Sequence, residues 1–272
     1  MRKSQADAGY FHNGLPYNRM GHGSRPLVVF QGTVFENKPL SPMMNWVYTS
    51  FYKPLAADFT IYSVLRKPHM PEGYSMKDMA DDYAAMIEEE FGEPVDVIGI
   101  SSGGSIALYF AADHPELLRN LVIHSGAYTL SESTRRIQMQ VAALARQRKW
   151  LDAYIVQLSP GSKSKAVIWI GSLMAVMSSR PQDPSDLIVA TEAEDKHNFK
   201  ERLAEIKAAT LVIAGAADPF YSESLFRETA AGIPQARLIL YPGMGHPAYG
   251  EQFGRDVLMF LQERVTEDAA EA

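Results

Sequence analysis

The 272-residue sequence predicts an α/β fold, a three-layer sandwich on a mostly parallel sheet with a helical insertion. Three observations carry this. Short apolar runs rich in β-branched residues alternate with helical patterns along most of the chain, the signature of a layered α/β domain. The runs are apolar nearly throughout rather than at every second position, as strands covered on both faces must be. One long interval, 128–207, breaks the alternation and contains no good strand.

Taken in order, the predicted strands are 27–30, 59–65, 95–100, 121–123, 211–214 and 238–241. Between the second and third, 75–91 reads as a helix with Ser75 as N-cap and Asp78 three residues on. Its Met79, Tyr83, Met86 and Ile87 share one stripe, and Gly92 ends it. Residues 102–113 are small and apolar, as a helix buried against a sheet requires. The chain closes with an amphipathic helix over 247–265, and 267–272 is expected to fray. The interval 128–207 shows about three helical patterns. Ordinary crossover helices are the plainer reading, but eighty residues is long for one crossover, so the expectation is a lid. The predicted organisation is a core of 1–127 and 208–272 around a cap of 128–207.

Composition narrows the function. Hydrophobic residues make up 46 % and the formal net charge is −6. Such a chain buries a real core and is a poor partner for nucleic acid. Absence of cysteine excludes disulfides and thiolate chemistry. The first residues lead into no apolar run, so no secretory leader is expected. The longest apolar stretch, 166–177, is too short to span a bilayer. The expectation is a cytoplasmic monomer or homodimer without stable membrane insertion, although 166–177 can alternatively touch a membrane surface.

The sharpest motif is Gly99-Ile100-Ser101-Ser102-Gly103, between a predicted strand and a predicted helix. That context is what a G-x-S-x-G turn requires. Its tightness forces Ser101 into a strained backbone conformation and demands small neighbours at 99 and 103. The Ser101 oxygen then stands at the carboxyl edge of the sheet, and the Ser102 N–H can stabilise an oxyanion there. A phosphate-binding turn competes, but the spacing fails G-x-G-x-x-G and no lysine follows for a P-loop. Ser102 as nucleophile competes less well, because Ile100 stands where a glycine is needed.

A serine hydroxyl needs a base. Of seven histidines, His246 follows the last predicted strand in a glycine loop at the active edge, and His124, ending a core strand, is its rival. Asp218 follows the 211–214 strand and precedes His246, giving the order Ser, Asp, His. Alone, Asp218 reads equally as a turn aspartate before Pro219, and His246 as a helix-start residue before Pro247.

With these motifs the chain resembles the α/β-hydrolase superfamily over nearly its whole length. Residues 14–23 and 26–32 look like the opening hairpin and third strand, 201–206 with 211–218 like the lid exit and acid strand, and 242–246 like the histidine loop. The resemblance implies that Thr33 donates the second oxyanion N–H. It also exposes a departure, Gln31-Gly32 where the family usually carries His-Gly. The expected reaction is two-step acyl transfer on a small or medium carboxylic ester, with Ser101, His246 and Asp218 as the catalytic set and no metal or cofactor. Gln31, Tyr221, Trp150 and Trp169 are candidate substrate contacts. The same fold and triad also serve carbon–carbon bond hydrolases, lactonases and cofactor-free haloperoxidases. A non-catalytic ligand-binding protein on this scaffold is the alternative of another class. Epoxide hydrolase or dehalogenase chemistry is disfavoured, since it needs an aspartate at position 101.

Overall fold

The computed structural model describes residues 7–41, 44–46, 50–178 and 181–271, without the side chains of 178 and 264–271. Its centre is an eight-stranded sheet of β1 (Ala8–Tyr10), β2 (Pro16–Met20), β3 (Arg25–Phe30), β4 (Phe59–Val64), β5 (Val95–Ile100), β6 (Leu118–His124), β7 (Ala209–Gly215) and β8 (Ala236–Tyr241). Their order is β1-β2-β4-β3-β5-β6-β7-β8. β1, β2 and β4 pair antiparallel, and every pair from β4 to β8 is parallel. β5 and the Arg25–Phe30 strand are buried along almost their full length, which explains their nearly continuous apolar sequences; the charged exceptions pair with each other, Arg25 Nη2 donating to the buried Asp96 Oδ2 at 2.6 Å. β1, too short and exposed to carry a pattern, was not legible.

The helices are α1 (Met76–Glu90), α2 (Ser102–Asp113), α3 (Glu132–Arg146), α4 (Trp150–Leu158), α5 (Lys165–Ser178), α6 (Ser185–Asp195), α7 (Glu223–Gly232) and α8 (Glu251–Glu271). α1 begins at the expected cap: the Asp78 N–H donates to Ser75 Oγ at 3.1 Å and the Ser75 N–H to Asp78 Oδ2 at 2.8 Å, a capping box. One core layer joins Met79, Tyr83, Ile106 and Phe226 on one face of the sheet. The other joins Tyr52, Leu55, Phe253 and Val257 on the opposite face.

Most strands differ from their predicted bounds by one to three residues, and the last helix differs at both ends. α8 starts at Glu251 rather than Pro247. The segment before it is held out of helical register, because Ala248 N–H donates to Ser125 Oγ and Ala248 O accepts from the His124 ring. α8 also runs on to Glu271 instead of ending near 265, in a stretch rich in the helix formers Glu and Ala. The interval between β6 and β7 holds four α-helices, α3 to α6, where three patterns were expected. They share a satellite core of Val141, Ala145, Trp150, Ala153, Tyr154 and Leu187 that also takes in Phe35. The Tyr154 ring stacks on Phe35 at 3.8 Å.

Candidate active site

β5 delivers Ser101 to the carboxyl edge of the sheet, and α2 begins on the next residue. Ser101 has φ 53° and ψ −125°, a conformation that L-residues adopt only when the surroundings enforce it. The enforcement is visible in the neighbours. A Cβ on Gly103 would sit 2.0 Å from Phe30 O, and one on Gly99 2.7 Å from both Ala107 Cβ and Gly103 O. Ser101 N–H donates to His124 O at 2.9 Å, and Ser101 O accepts from Gly104 N–H at 2.8 Å.

Loops after β7 and β8 bring two further groups to this edge. His246 Nε2 lies 3.1 Å from Ser101 Oγ, and His246 Nδ1 lies 2.7 Å from Asp218 Oδ2. The carboxylate accepts only, so the proton between them sits on Nδ1 and leaves the Nε2 lone pair facing the serine hydroxyl. Asp218 Oδ1 meanwhile accepts the N–H groups of Phe220 at 2.8 Å and Tyr221 at 3.1 Å. The two readings of Asp218 are therefore compatible: one oxygen closes the turn and the other faces the imidazole. The carboxylate is fully buried and the imidazole nearly so. Phe220 and Tyr221 pack on the His246 ring, with centroids 4.9 Å and 6.0 Å away.

His124 is placed elsewhere. Its Nδ1 accepts from the Tyr52 hydroxyl at 2.9 Å and its Nε2–H donates to Ala248 O at 2.7 Å. Burial pushes its pKa down to about 3, so it is a neutral core residue with both ring nitrogens engaged.

The loop after β3 closes over the serine. A Cβ on Gly32 would lie 3.2 Å from Ser101 Cβ, and Thr33 Oγ1 lies 2.9 Å from Ser102 Oγ. Beneath this pair is Arg66, which sequence reasoning missed. Its guanidinium donates to Ser102 Oγ at 2.5 Å and to Gly32 O at 3.0 Å, tying the loop after β3 to the first residue of α2. The signal for it was its position, immediately after the predicted 59–65 strand at the edge where α/β sheets bind ligands.

Of the four candidate substrate contacts, Tyr221 is the one against the site. Its ring packs on His246, and its hydroxyl donates to Glu194 Oε1 at 3.1 Å. Glu194, on α6, is 1 % exposed and also accepts from Gln138 Nε2 at 2.8 Å. Burial raises its pKa, against the lowering effect of Gln138 and Arg66. No sequence signal marked it, since an acidic residue on a helix is ordinarily solvated. Gln31 is buried with its amide donating to Ser63 Oγ at 2.6 Å, a brace between β3 and β4. Trp150 is buried in the satellite core beside Phe35. Trp169 is 52 % exposed on α5. Among the described residues no group of three His, Cys, Asp or Glu side chains is placed to hold a metal ion.

Residues 69–252 match the family described as serine aminopeptidase, S33. An AB hydrolase superfamily protein of Bacillus subtilis (strain 168), YisY, is 25 % identical over 249 residues, 86 % of this chain and 88 % of the relative. A pimeloyl-[acyl-carrier protein] methyl ester esterase of Nitrosomonas europaea is 22 % identical over 225 residues, 78 % of this chain and 88 % of the relative. Among solved structures, a hydrolase from Pseudomonas aeruginosa PA01 superposes with a TM-score of 0.76 at 19 % identity, covering 96 % of this chain and 100 % of that one. With that match over most of its length, on this sheet, the chain belongs to the serine aminopeptidase S33 family of the α/β-hydrolase superfamily and is a hydrolase.

Proposed function

We propose that the protein is a serine hydrolase that cleaves a small or medium carboxylic ester through an acyl-enzyme. The observation that carries this is the continuous path from Ser101 Oγ to His246 Nε2, 3.1 Å, and from His246 Nδ1 to Asp218 Oδ2, 2.7 Å. His246 takes the Ser101 proton as Oγ attacks the ester carbonyl carbon. The N–H groups of Thr33 and Ser102 receive the carbonyl oxygen as it becomes an oxyanion. Asp218 keeps the imidazole in the reactive tautomer and offsets its positive charge. The imidazolium then protonates the leaving alkoxide, the alcohol departs, and Ser101 holds the acyl group. Water, deprotonated by His246, attacks the same carbon and returns the carboxylic acid and free Ser101. Residues 128–207 act as a cap, with Phe35 and Tyr154 joining it to the oxyanion loop.

The direct test is a fluorophosphonate probe, which reacts with activated serines. Adduct mass on the peptide carrying Ser101, and loss of p-nitrophenyl acetate hydrolysis in Ser101→Ala, are the expected results. Folded protein that resists the probe, or a Ser101→Ala variant of normal turnover, would overturn the proposal.

A further inference from the structure

α5 is turned inside out. From Ala166 to Met177 every exposed residue is apolar. Val167, Trp169, Ile170, Leu173, Met174 and Met177 occupy one half of the helix surface, with Met177 80 % and Val167 60 % exposed. The inward half holds Gly171, Ser172 and Ala175, with Ile168 and Val176 half-buried beside them, and Ala175 and Val176 pack on the satellite core. A Cβ on Gly171 would come within 3.4 Å of Leu158, so the small residues permit close packing on α4. Large side chains thus stand where solvent is, which is not how a monomeric soluble surface is ordinarily composed.

Charge distinguishes what can cover this face. The chain carries −6 overall, yet residues 131–178 carry seven basic side chains and two acidic ones. Basic groups bracket α5 at both ends. Lys163 and Lys165 stand exposed at its start. Arg148 and Lys149 line a surface hollow with Trp150, Leu151, Asp152 and Val176, towards its last turn. Among the described residues, none of these four lies within 4 Å of a carboxylate as an ion pair, and Asp183 lies close enough to Arg148 to feel its charge. A second copy docking on the same face would oppose cation to cation. An apolar surface carrying negative charge satisfies both features.

We propose that the outward face of α5 docks on an anionic lipid surface. The large apolar side chains enter the acyl boundary, Trp169 sits at headgroup level, and the four cations meet lipid phosphate and carboxylate groups. The helix lies in the interface and does not cross it, since no helix among the described residues is long and apolar enough to do so.

The test is flotation of the full chain with vesicles of phosphatidylcholine containing 30 mol % phosphatidylglycerol, beside pure phosphatidylcholine. Binding to the anionic vesicles is expected, with a blue shift of tryptophan emission that is absent in Trp169→Phe. Partitioning is expected to fall about tenfold in 0.5 M NaCl, and about tenfold or more in the triple variant Ile170→Ser, Met174→Ser, Met177→Ser. That variant replaces exposed groups only, and its unchanged circular dichroism and melting temperature report an intact fold. Because vesicle binding is read without substrate, the result is independent of the Ser101 chemistry. Failure to float with anionic vesicles, equal binding to neutral ones, or a dimer in light scattering that the triple variant dissociates would each overturn the proposal.

Discussion

Arg66 Nη2 donates to Ser102 Oγ across 2.5 Å, and the same guanidinium reaches Gly32 O at 3.0 Å. Because arginine only donates, Ser102 accepts, and its own proton is free for Thr33 Oγ1, 2.9 Å away. One buried cation thus ties the loop after β3 to the first residue of α2, the two segments whose N–H groups are proposed to receive the oxyanion. Arg66→Lys cannot span both acceptors. The expected outcome is a fall in kcat of about 10–100-fold with a smaller change in KM, measured on p-nitrophenyl acetate. If the arginine acts through Ser102, its effect shrinks in a Ser102→Ala background; an undiminished effect there would exclude that route.

Asp218→Asn retains the turn, because an amide oxygen can still accept from Phe220 and Tyr221 N–H. It removes the charge facing His246 Nδ1 and favours the wrong tautomer. Turnover is expected to fall by about 10⁴ with little loss of stability. Steady-state kinetics beside thermal melts separates the two effects, and a melt lowered in step with activity would point to a merely structural carboxylate.

His124 is neutral in the core, its pKa lowered to about 3 by burial. The unfolded chain binds a proton at the ordinary histidine value, and the folded chain resists it. The stability tied to this group is therefore complete above about pH 6.5 and is lost as pH falls towards 3, a difference on the order of 5 kcal/mol. His197, lowered to about 4 by burial, adds in the same direction. His124→Asn is expected to lower stability near pH 7 through poorer packing, and to flatten the acid limb between pH 6 and 4. Urea unfolding across that range checks both parts.

Glu194 carries the opposite sign. Burial raises its pKa, so the folded state holds its proton more tightly than the unfolded chain does. Its ionisation costs stability as pH rises through the folded pKa. Glu194→Gln leaves an oxygen for the Tyr221 hydroxyl. Gln138 Oε1, unpartnered at present, can turn to accept from the new amide. The variant is expected to equal the wild type at pH 5 and exceed it at pH 8 in chemical denaturation. A greater loss at pH 8 than at pH 5 would contradict this account.

Gly103 faces Phe30 O at a distance no Cβ can share. Gly103→Ala is expected to cost about 4 kcal/mol or more, or to prevent folding. Gly161→Ala, with nothing within 4 Å, is expected to change the melting temperature by no more than about a degree or two.

What the sequence alone determined is everything periodic or local. β5 and α2 were legible to the residue, because a strand covered on both faces is apolar nearly throughout and the turn at Ser101 requires glycine two residues to either side. The Ser75 cap was legible because its partner is three residues away. The order of Ser101, Asp218 and His246 was legible because each follows a recognisable strand. Tertiary structure decided what depends on distant groups meeting. Which histidine lies beside Ser101 and which is buried between Tyr52 and Ala248 depends on how the loops close on the sheet. Arg66 and Glu194 reach the site only when β4 and α6 converge on it. That the apolar half of α5 faces outward follows from Gly171, Ser172 and Ala175 packing inward. Hydrophobic periodicity marks a face, but only the neighbours determine whether that face is covered.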